Sequence, residues 1–296
     1  MKNRLIAIVA LLLIGAAPSY GAPITIAASL PDLASIASSI GGDEIKAFSV
    51  AKSSANPHYV EVLPSYMIMV SRAAVYLKVG LALDQWADEI IAGSRNGRLL
   101  VVDCSKGITV LQKPLGKVDA SMGDVHPEGN PHYWLDPSNG IIIGETILEA
   151  LVRIDPDHRV YYEENYLRFK AKTQERVALW RERMSKLEGK RILTYHSSWV
   201  YFATAFGMTV AANVEPLPGI PPSGKHLAGL VETIKRDGIE ILIQEPYFPN
   251  AAGAFLSRET GIRILRFSPS CDDAEPASYL THFEEMIGRI TEGGRP

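Results

Sequence analysis

The chain has 296 residues, of which 47% are hydrophobic and 21% charged, and its 30 basic and 33 acidic residues leave a formal net charge of −3. These values are ordinary for a globular protein and exclude wholesale disorder. The near balance of charge, with no long run of one sign, also argues against nucleic-acid binding. Two cysteines are too few for a small fold built on disulfides.

The first segment of the chain has the pattern of a secretory signal peptide. Lys2 and Arg4 precede an apolar run at residues 5–17, and small residues follow as far as Gly21. This run is shorter than the ~20 residues that a spanning helix needs. We therefore predict a signal peptide at residues 1–21, export to the periplasm, and a mature protein that does not span the membrane.

The first half of the mature chain alternates short apolar runs with helical patterns such as that of residues 31–40. The predicted strands are residues 24–29, 45–51, 75–80 and 99–104. Strands that alternate with helices indicate βαβ units and a parallel sheet. We assign residues 22–155 to an N-terminal α/β lobe.

A long helix is predicted next, at residues 156–188. Asp155 and Pro156 form a helix start, and apolar residues then recur at spacings of three and four. They are Leu167, Ala171, Val177, Trp180, Met184 and Leu187. About thirty helical residues extend roughly 45 Å, which is long enough to run along two lobes.

The second half repeats the order of elements found in the first. Strands are predicted at residues 191–196, 209–214, 240–245 and 263–268, with helical patterns after each of them. Residues 189–296 are therefore assigned to a C-terminal α/β lobe. The predicted fold class is α/β, with two similar parallel-sheet lobes joined by the long helix, and we expect a monomer.

Three histidines have contexts that suit metal binding. His58 and His132 both lie in the tetrapeptide Asn-Pro-His-Tyr, whose proline restricts the backbone before the histidine, and His196 ends a predicted strand. Open α/β sheets bind ligands beyond the carboxyl ends of their strands, so two sheets facing each other enclose a cleft there. Three neutral imidazoles suit Zn²⁺. We therefore predict a metal site between the lobes.

With these motifs, the sequence resembles the metal-binding receptors of zinc and manganese ABC importers over nearly all of the mature chain. The motifs are Asn56-Pro57-His58, Pro131-His132-Tyr133-Trp134-Leu135-Asp136-Pro137, Tyr195-His196 with Tyr201-Phe202-Ala203, and Gln244-Glu245-Pro246-Tyr247-Phe248. The resemblance implies two α/β lobes joined by a backbone helix, with one metal ion between them. It also implies that His58, His132 and His196 are ligands.

The resemblance further points to zinc as the metal. Manganese-selective relatives commonly have a carboxylate at the position of His196, in keeping with the harder character of Mn²⁺. Zinc-type relatives often carry a long histidine-rich loop before the second ligand, and here only residues 121–129 remain of it. His126, with Asp124 and Glu128, offers an auxiliary metal site there; the alternative is a solvated turn.

The fourth ligand departs from the pattern of the family. Many relatives place an aspartate at the end of the last strand, where this chain has Ser268. A neutral hydroxyl is a poor zinc ligand, so the fourth position is left to water or to a nearby donor, namely Asp272, Asp273, Cys271 or Glu245. For Glu245, which ends a predicted strand, we instead expect a hydrogen bond to a ligating histidine.

The function that these residues and the resemblance together imply is a periplasmic receptor, not an enzyme, that binds Zn²⁺ and delivers it to the membrane permease of a zinc ABC importer. A zinc-dependent hydrolase that uses the three histidines is one alternative, and a manganese or iron receptor of the same family is another. A cell-surface adhesin is a third, disfavoured because neither cysteine stands where a lipid anchor would need it. Cys104 and Cys271 either form a bridge across the cleft or are separate buried thiols.

Overall fold

The structure is a computed structural model, and it describes residues 22–116, 122, 123 and 125–291. The signal peptide predicted for residues 1–21 lies outside the described residues. Within the described part, no helix combines the length and the apolar composition that a membrane span requires.

The first lobe is built on a four-stranded parallel sheet. Its strands are β1 (Ile24–Ala28), β2 (Ile45–Ser49), β3 (Val75–Lys78) and β4 (Leu100–Asp103), and their spatial order is β2-β1-β3-β4. The central strands β1 and β3 are short and almost entirely apolar because helices cover both faces of the sheet. The four strands predicted from the sequence are thus present, each shorter by one or two residues.

Four helices accompany this sheet. They are α1 (Pro31–Gly41), α2 (Pro64–Val70), α3 (Trp86–Ser94) and α4 (Asn139–Ile154). Helix α1 begins with Pro31, whose missing N–H costs nothing in the first turn, and it ends at Gly42, which has a φ of 54°. It is buried along most of its length between the first sheet and the helices that follow.

The second lobe repeats the architecture of the first. Strands β5 (Arg191–Thr194), β6 (Thr209–Asn213), β7 (Ile241–Gln244) and β8 (Arg263–Arg266) are parallel and lie in the order β6-β5-β7-β8. The equivalent spatial order in the two sheets confirms the prediction of two similar α/β lobes. The helices of this lobe are α6 (Val200–Ala205), α7 (Gly224–Asp237), α8 (Asn250–Thr260) and α9 (Ser278–Thr291).

The long helix α5 (Arg159–Met184) connects the two lobes. Short 3₁₀ turns, Pro156–His158 and Ser185–Leu187, adjoin its two ends. Its 26 residues extend about 39 Å. Helices α1 and α4 of the first lobe and α9 of the second pack against it, so α5 supports both lobes.

The buried face of α5 differs from the one predicted. Leu167 and Ala171 are exposed, and the residues that face the core include Tyr166, Phe169 and Thr173. The prediction was wrong at this end of the helix because it followed aliphatic residues, whereas two aromatic side chains fill the space against α4. Val177, Trp180 and Met184 are buried as predicted.

Candidate metal centre

His58 is held by a turn at the carboxyl end of the first sheet. The Asn56 side-chain oxygen accepts a hydrogen bond from the His58 backbone N–H at 3.0 Å, which closes an Asx-turn around Pro57. The indole N–H of Trp86 donates to the Pro57 carbonyl oxygen at 3.0 Å. The loop is therefore fixed on both sides of the proline, and the His58 ring is directed into the cleft.

The second Asn-Pro-His motif forms the same turn and adds a contact to the histidine ring. The Asn130 side-chain oxygen accepts hydrogen bonds from both the backbone N–H and Nδ1 of His132, each at 3.0 Å. The Asn130 side-chain N–H₂ group donates to the carbonyl oxygen of Ser197 in the other lobe at 2.8 Å. Because Nδ1 of His132 donates, its Nε2 carries the lone pair that a metal ion needs.

A glycine permits this second turn to lie close to its neighbour. Gly129 has a φ of 112°, and a Cβ atom there would come within 2.5 Å of Val110 Cγ1 and 3.0 Å of the Leu111 carbonyl oxygen. The backbone N–H of Asn130 donates to that carbonyl at 2.9 Å. The close approach of two backbone segments, which only glycine allows, therefore positions Asn130.

His196 comes from the second lobe, two residues after β5. Its Nδ1 donates to the Glu215 carboxylate at 2.7 Å, and both side chains are buried. A carboxylate only accepts hydrogen bonds when ionised, so this contact places the proton on Nδ1 and leaves Nε2 of His196 for a metal.

The three histidines meet between the lobes. One potential ligand atom from each of His58, His132 and His196 lies within 4.8 Å of the other two. Nε2 of His58 is 3.1 Å from Nε2 of His132, and the ring centroids of the three pairs are 5.1, 5.1 and 5.4 Å apart. Two ligand candidates thus belong to the first lobe and one to the second, so an ion held by all three bridges the lobes.

The surroundings keep the rings of His58 and His132 neutral. Burial lowers the pKa of His58 and of His132 well below the ordinary value of 6.5, and the neighbouring imidazoles lower it further. A neutral imidazole is the form that binds a metal, so protons compete weakly at this site. The arrangement is suited to a divalent ion with a preference for nitrogen ligands.

Two carboxylates flank His196, and the one bonded to its ring is Glu215, not Glu245, for which a bond to a ligating histidine was predicted. Strand β5 lies between β6 and β7, so Glu215 after β6 and Glu245 after β7 stand on opposite sides of His196. The His196 ring is bonded to Glu215. Glu245 instead accepts hydrogen bonds through Oε1 from Ser198 at 2.8 Å and Trp199 at 3.0 Å. Glu215 was missed although it directly follows the predicted strand 209–214.

The candidates for a fourth ligand lie outside the histidine cluster. Ser268 Oγ donates to the Ser53 carbonyl oxygen at 2.7 Å. Asp272 lies on an exposed loop, where one of its carboxylate oxygens accepts from Ser53 Oγ at 3.3 Å. Among the described residues, the group of potential ligands within 4.8 Å of one another contains neither Asp272 nor Cys271. The fourth position, predicted for water or Asp272, is therefore not filled by Asp272 or by Cys271.

His126 lies beside the histidine cluster. Its ring centroid is 5.1 Å from that of His58. Glu128 is exposed, and Asp124 lies outside the described residues. His126 also lines a cavity of about 230 Å³ between the lobes, whose wall includes Asn130 and Asn213.

The two cysteines are separate buried thiols in the structure. Cys104 belongs to the core of the first lobe, and Cys271 donates to the Asp273 carbonyl oxygen at 3.4 Å. The alternative of a bridge across the cleft is therefore not what the structure contains.

The sequence matches a family model over residues 26–293, and the description of that family is "Zinc-uptake complex component A periplasmic". The match covers about nine-tenths of the chain.

Individual relatives agree with the family but differ in the metals that they name. The iron-binding protein YfeA of Yersinia pestis is 28% identical over 268 residues, which are 87% of this chain and 82% of the relative. The manganese ABC transporter substrate-binding lipoprotein PsaA of Streptococcus pneumoniae is 25% identical over 92% of this chain and 90% of its own. A crystal structure of ZnuA shares the fold, with a TM-score of 0.79, 24% identity, and coverage of 91% of this chain and 98% of that one.

Proposed function

This chain belongs to the ZnuA family of periplasmic zinc-uptake components, and from that premise we propose that it is a receptor that captures Zn²⁺ in the periplasm and delivers it to an ABC importer. The observation that carries the proposal is the cluster of His58, His132 and His196, whose potential ligand atoms lie within 4.8 Å of one another. In this role zinc is the cargo, and the protein acts as a monomer.

The donor set favours zinc over manganese or iron. Three imidazoles form a borderline-soft site, and Mn²⁺ and Fe²⁺ stand lowest in the usual affinity order for nitrogen ligands. Asn130 and Glu215 further hold the rings of His132 and His196 with Nε2 directed at the ion. A water molecule completes a tetrahedral zinc site, since Ser268 and Asp272 are hydrogen-bonded to Ser53.

A receptor of this kind needs a shielded site and a route for the ion. His132 and His196 are almost fully buried, whereas His126 lines the cavity of about 230 Å³ that lies between the lobes. We propose that zinc enters and leaves on this side of the cleft. The permease of the importer takes the ion from there when the lobes separate and His196 withdraws from the other two histidines.

The hydrolase alternative is less well supported by the carboxylates. A zinc hydrolase requires a general base beside the metal-bound water. Glu215 is bonded to Nδ1 of His196, and Glu245 binds Ser198 and Trp199 through Oε1. Both carboxylates therefore support the framework of the site, which is the arrangement expected of a binding protein.

Metal analysis of the mature protein, purified from the periplasm, tests the proposal. We expect one zinc ion per chain and little manganese or iron. Calorimetry should then show that alanine at position 58, 132 or 196 removes high-affinity zinc binding, whereas the exposed His158→Ala serves as the control and binds as the unsubstituted protein does.

Two results would overturn the proposal. If Mn²⁺ displaced Zn²⁺ at comparable concentration, the chain would be a manganese receptor of the same family. If a histidine variant retained full affinity, that residue would not be a ligand.

A further inference from the structure

A set of polar contacts outside the histidine cluster holds the two lobes together. The segment that follows β8, residues 268–277 and here termed the interlobe segment, lies across helix α1 of the first lobe. Three side chains of α1 at helical spacing contact it, namely Asp32, Ser35 and Ser39. Cys271 donates its backbone N–H to Asp32 Oδ1 at 3.2 Å, and Ser35 Oγ donates to the Glu275 carbonyl oxygen at 2.6 Å.

Other parts of the first lobe hold the same segment. The Trp134 indole N–H donates to the Pro269 carbonyl oxygen at 2.7 Å, and Trp134 is two residues from His132. Ser268 Oγ donates to the carbonyl oxygen of Ser53, five residues before His58. The interlobe segment is thus attached close to both loops that carry the histidines of the first lobe.

Asp32 is the only acidic side chain of α1, and it is almost fully buried, with 1% of its surface exposed. Its Oδ2 is buried and has no hydrogen-bond partner among the described residues. A buried carboxylate with one oxygen unsatisfied is costly, and a proton on that oxygen removes the part of the cost that comes from burying a charge.

The groups that face Asp32 do not offset a negative charge. They are the Ser270 hydroxyl and the Cys271 thiol on the interlobe segment and the Tyr279 phenol on α9. Asp136, Asp272 and Asp273 act in turn on that phenol and that thiol, and all three are acidic. Burial raises the pKa of the Asp32 carboxyl to about 7, against the opposing effect of the hydrogen bonds from Ser270 and Cys271.

We propose that Asp32 is a positioning residue for the metal site, and that its neutral carboxyl keeps the interlobe segment on α1 and so keeps His196 beside His58 and His132. Ionisation of Asp32 weakens this attachment, because an unpaired charge is then buried between the lobes. The lobes separate more easily, and the ligand from the second lobe leaves the ion. This inference rests on the proposed binding of zinc.

The sign of the resulting pH dependence is opposite to that of histidine protonation. Protonated imidazoles release zinc as the pH falls, whereas ionised Asp32 releases it as the pH rises through 7. The experiment loads the mature chain with zinc and measures the rate of zinc transfer to a chromogenic chelator from about pH 6.5 to about pH 8.5. We expect the rate to rise by up to about fourfold across this range, because the ionised fraction of a carboxyl with a pKa of about 7 rises from about a quarter to nearly one.

Three variants separate a positioning role from a merely structural one. Asp32→Asn mimics the neutral carboxyl, so its rate should stay slow and independent of pH. Asp32→Ala removes the acceptor, so its rate should be fast and independent of pH. Ser39→Ala is the matched control: it removes one hydrogen bond from the same face of α1, and it should change the rate without changing the pH profile.

The inference is wrong if the rate of the unsubstituted protein is flat or falls over this range, or if Asp32→Asn retains the rise. The pH profile of the unsubstituted protein tests the inference even if a variant does not fold. Absence of zinc binding at the lowest pH would instead contradict the proposed function. In that case, hydrogen exchange of the Cys271 amide in the metal-free chain tests the role of Asp32. The protection of this amide, corrected for the intrinsic exchange rate, should fall above pH 7 in the unsubstituted protein. It should stay constant in Asp32→Asn.

Discussion

Glu215 accepts a hydrogen bond from Nδ1 of His196 at 2.7 Å, and the two side chains are enclosed together at the carboxyl edge of the second sheet. Asn130 makes the equivalent contact with Nδ1 of His132 in the first lobe. The two lobes thus use different acceptors, a carboxylate and an amide, to present Nε2 of a histidine to the cleft. Both acceptors determine the tautomer and the orientation of the ring before an ion arrives.

Glu215→Gln should weaken zinc binding by about 10- to 100-fold. The amide still accepts a hydrogen bond, but the negative charge that raises the basicity of His196 is lost. Calorimetry or competition with a chelator of known affinity measures the effect. Glu240→Gln, an exposed carboxylate of the same lobe, is the control and should leave the affinity unchanged. Unchanged affinity in Glu215→Gln would mean that the contact only packs the ring.

The two Asn-Pro-His motifs provide a matched pair of substitutions. Asn130→Ala removes the acceptor for both the backbone N–H and the ring of His132 and the donor to the Ser197 carbonyl oxygen, whereas Asn56→Ala removes only the acceptor for the backbone N–H of His58. We expect about a 10- to 100-fold loss of zinc affinity for Asn130→Ala and a smaller loss for Asn56→Ala. Equal losses would show that the turn, and not the orientation of the ring, is what each asparagine contributes.

Zinc binding should persist below the ordinary pKa of histidine. Burial lowers the pKa of His58 and His132 in the folded protein, so both rings stay neutral as the pH falls past 6.5. Protons compete with zinc only once the pH passes through these lowered values. Protonation of His58 and His132 should therefore not lower the zinc affinity between about pH 7.5 and about pH 6, and should lower it at more acidic pH. A tenfold loss already at pH 6.5 in a calorimetric titration would contradict this.

The histidine cluster was predictable because its signals are local. A proline before His58 and His132 and a strand before His196 are visible in the chain, and the carboxyl-edge rule for parallel sheets brings them together. The same rule applies to Glu215, two residues after β6, but the prediction named only Glu245. The order β6-β5-β7 places Glu215 and Glu245 on opposite sides of β5, so the orientation of the His196 ring in the folded protein decides between them. That order is a tertiary property.

The fourth ligand and the attachment of the lobes were not predictable in the same way. Ser268 is separated from Ser53 by 215 residues, and Asp32 from Cys271 by 239. No periodicity or short motif reports such a pair. Their contacts depend on the position of the second lobe relative to α1. That position depends in turn on the packing of α9 and α5.

Two free thiols should be found per chain. Cys104 and Cys271 are both buried, and burial raises the pKa of each thiol, so neither reacts readily while the protein is folded. A thiol-specific reagent added to unfolded, unreduced protein should count two, and almost none when added to the folded protein. A count of zero after unfolding would show that the two cysteines are joined.

The orientation of α5 predicts that alanine substitutions at Phe169 and Leu167 lower the free energy of unfolding by very different amounts. Phe169 is 6% exposed and packs beside Gly144 of α4, whereas Leu167 is 60% exposed. Phe169→Ala removes a buried ring and leaves a cavity, so it should lower the free energy of unfolding by about 3 kcal/mol or more. Leu167→Ala removes little buried surface, so the change should stay within about 0.5 kcal/mol. Urea denaturation of both variants, monitored by tryptophan fluorescence, measures the two values. A larger loss for Leu167→Ala than for Phe169→Ala would contradict this orientation. It would mean that Leu167 and Ala171 face the core, as their spacing in the sequence indicated, and that the aromatic residues face the solvent.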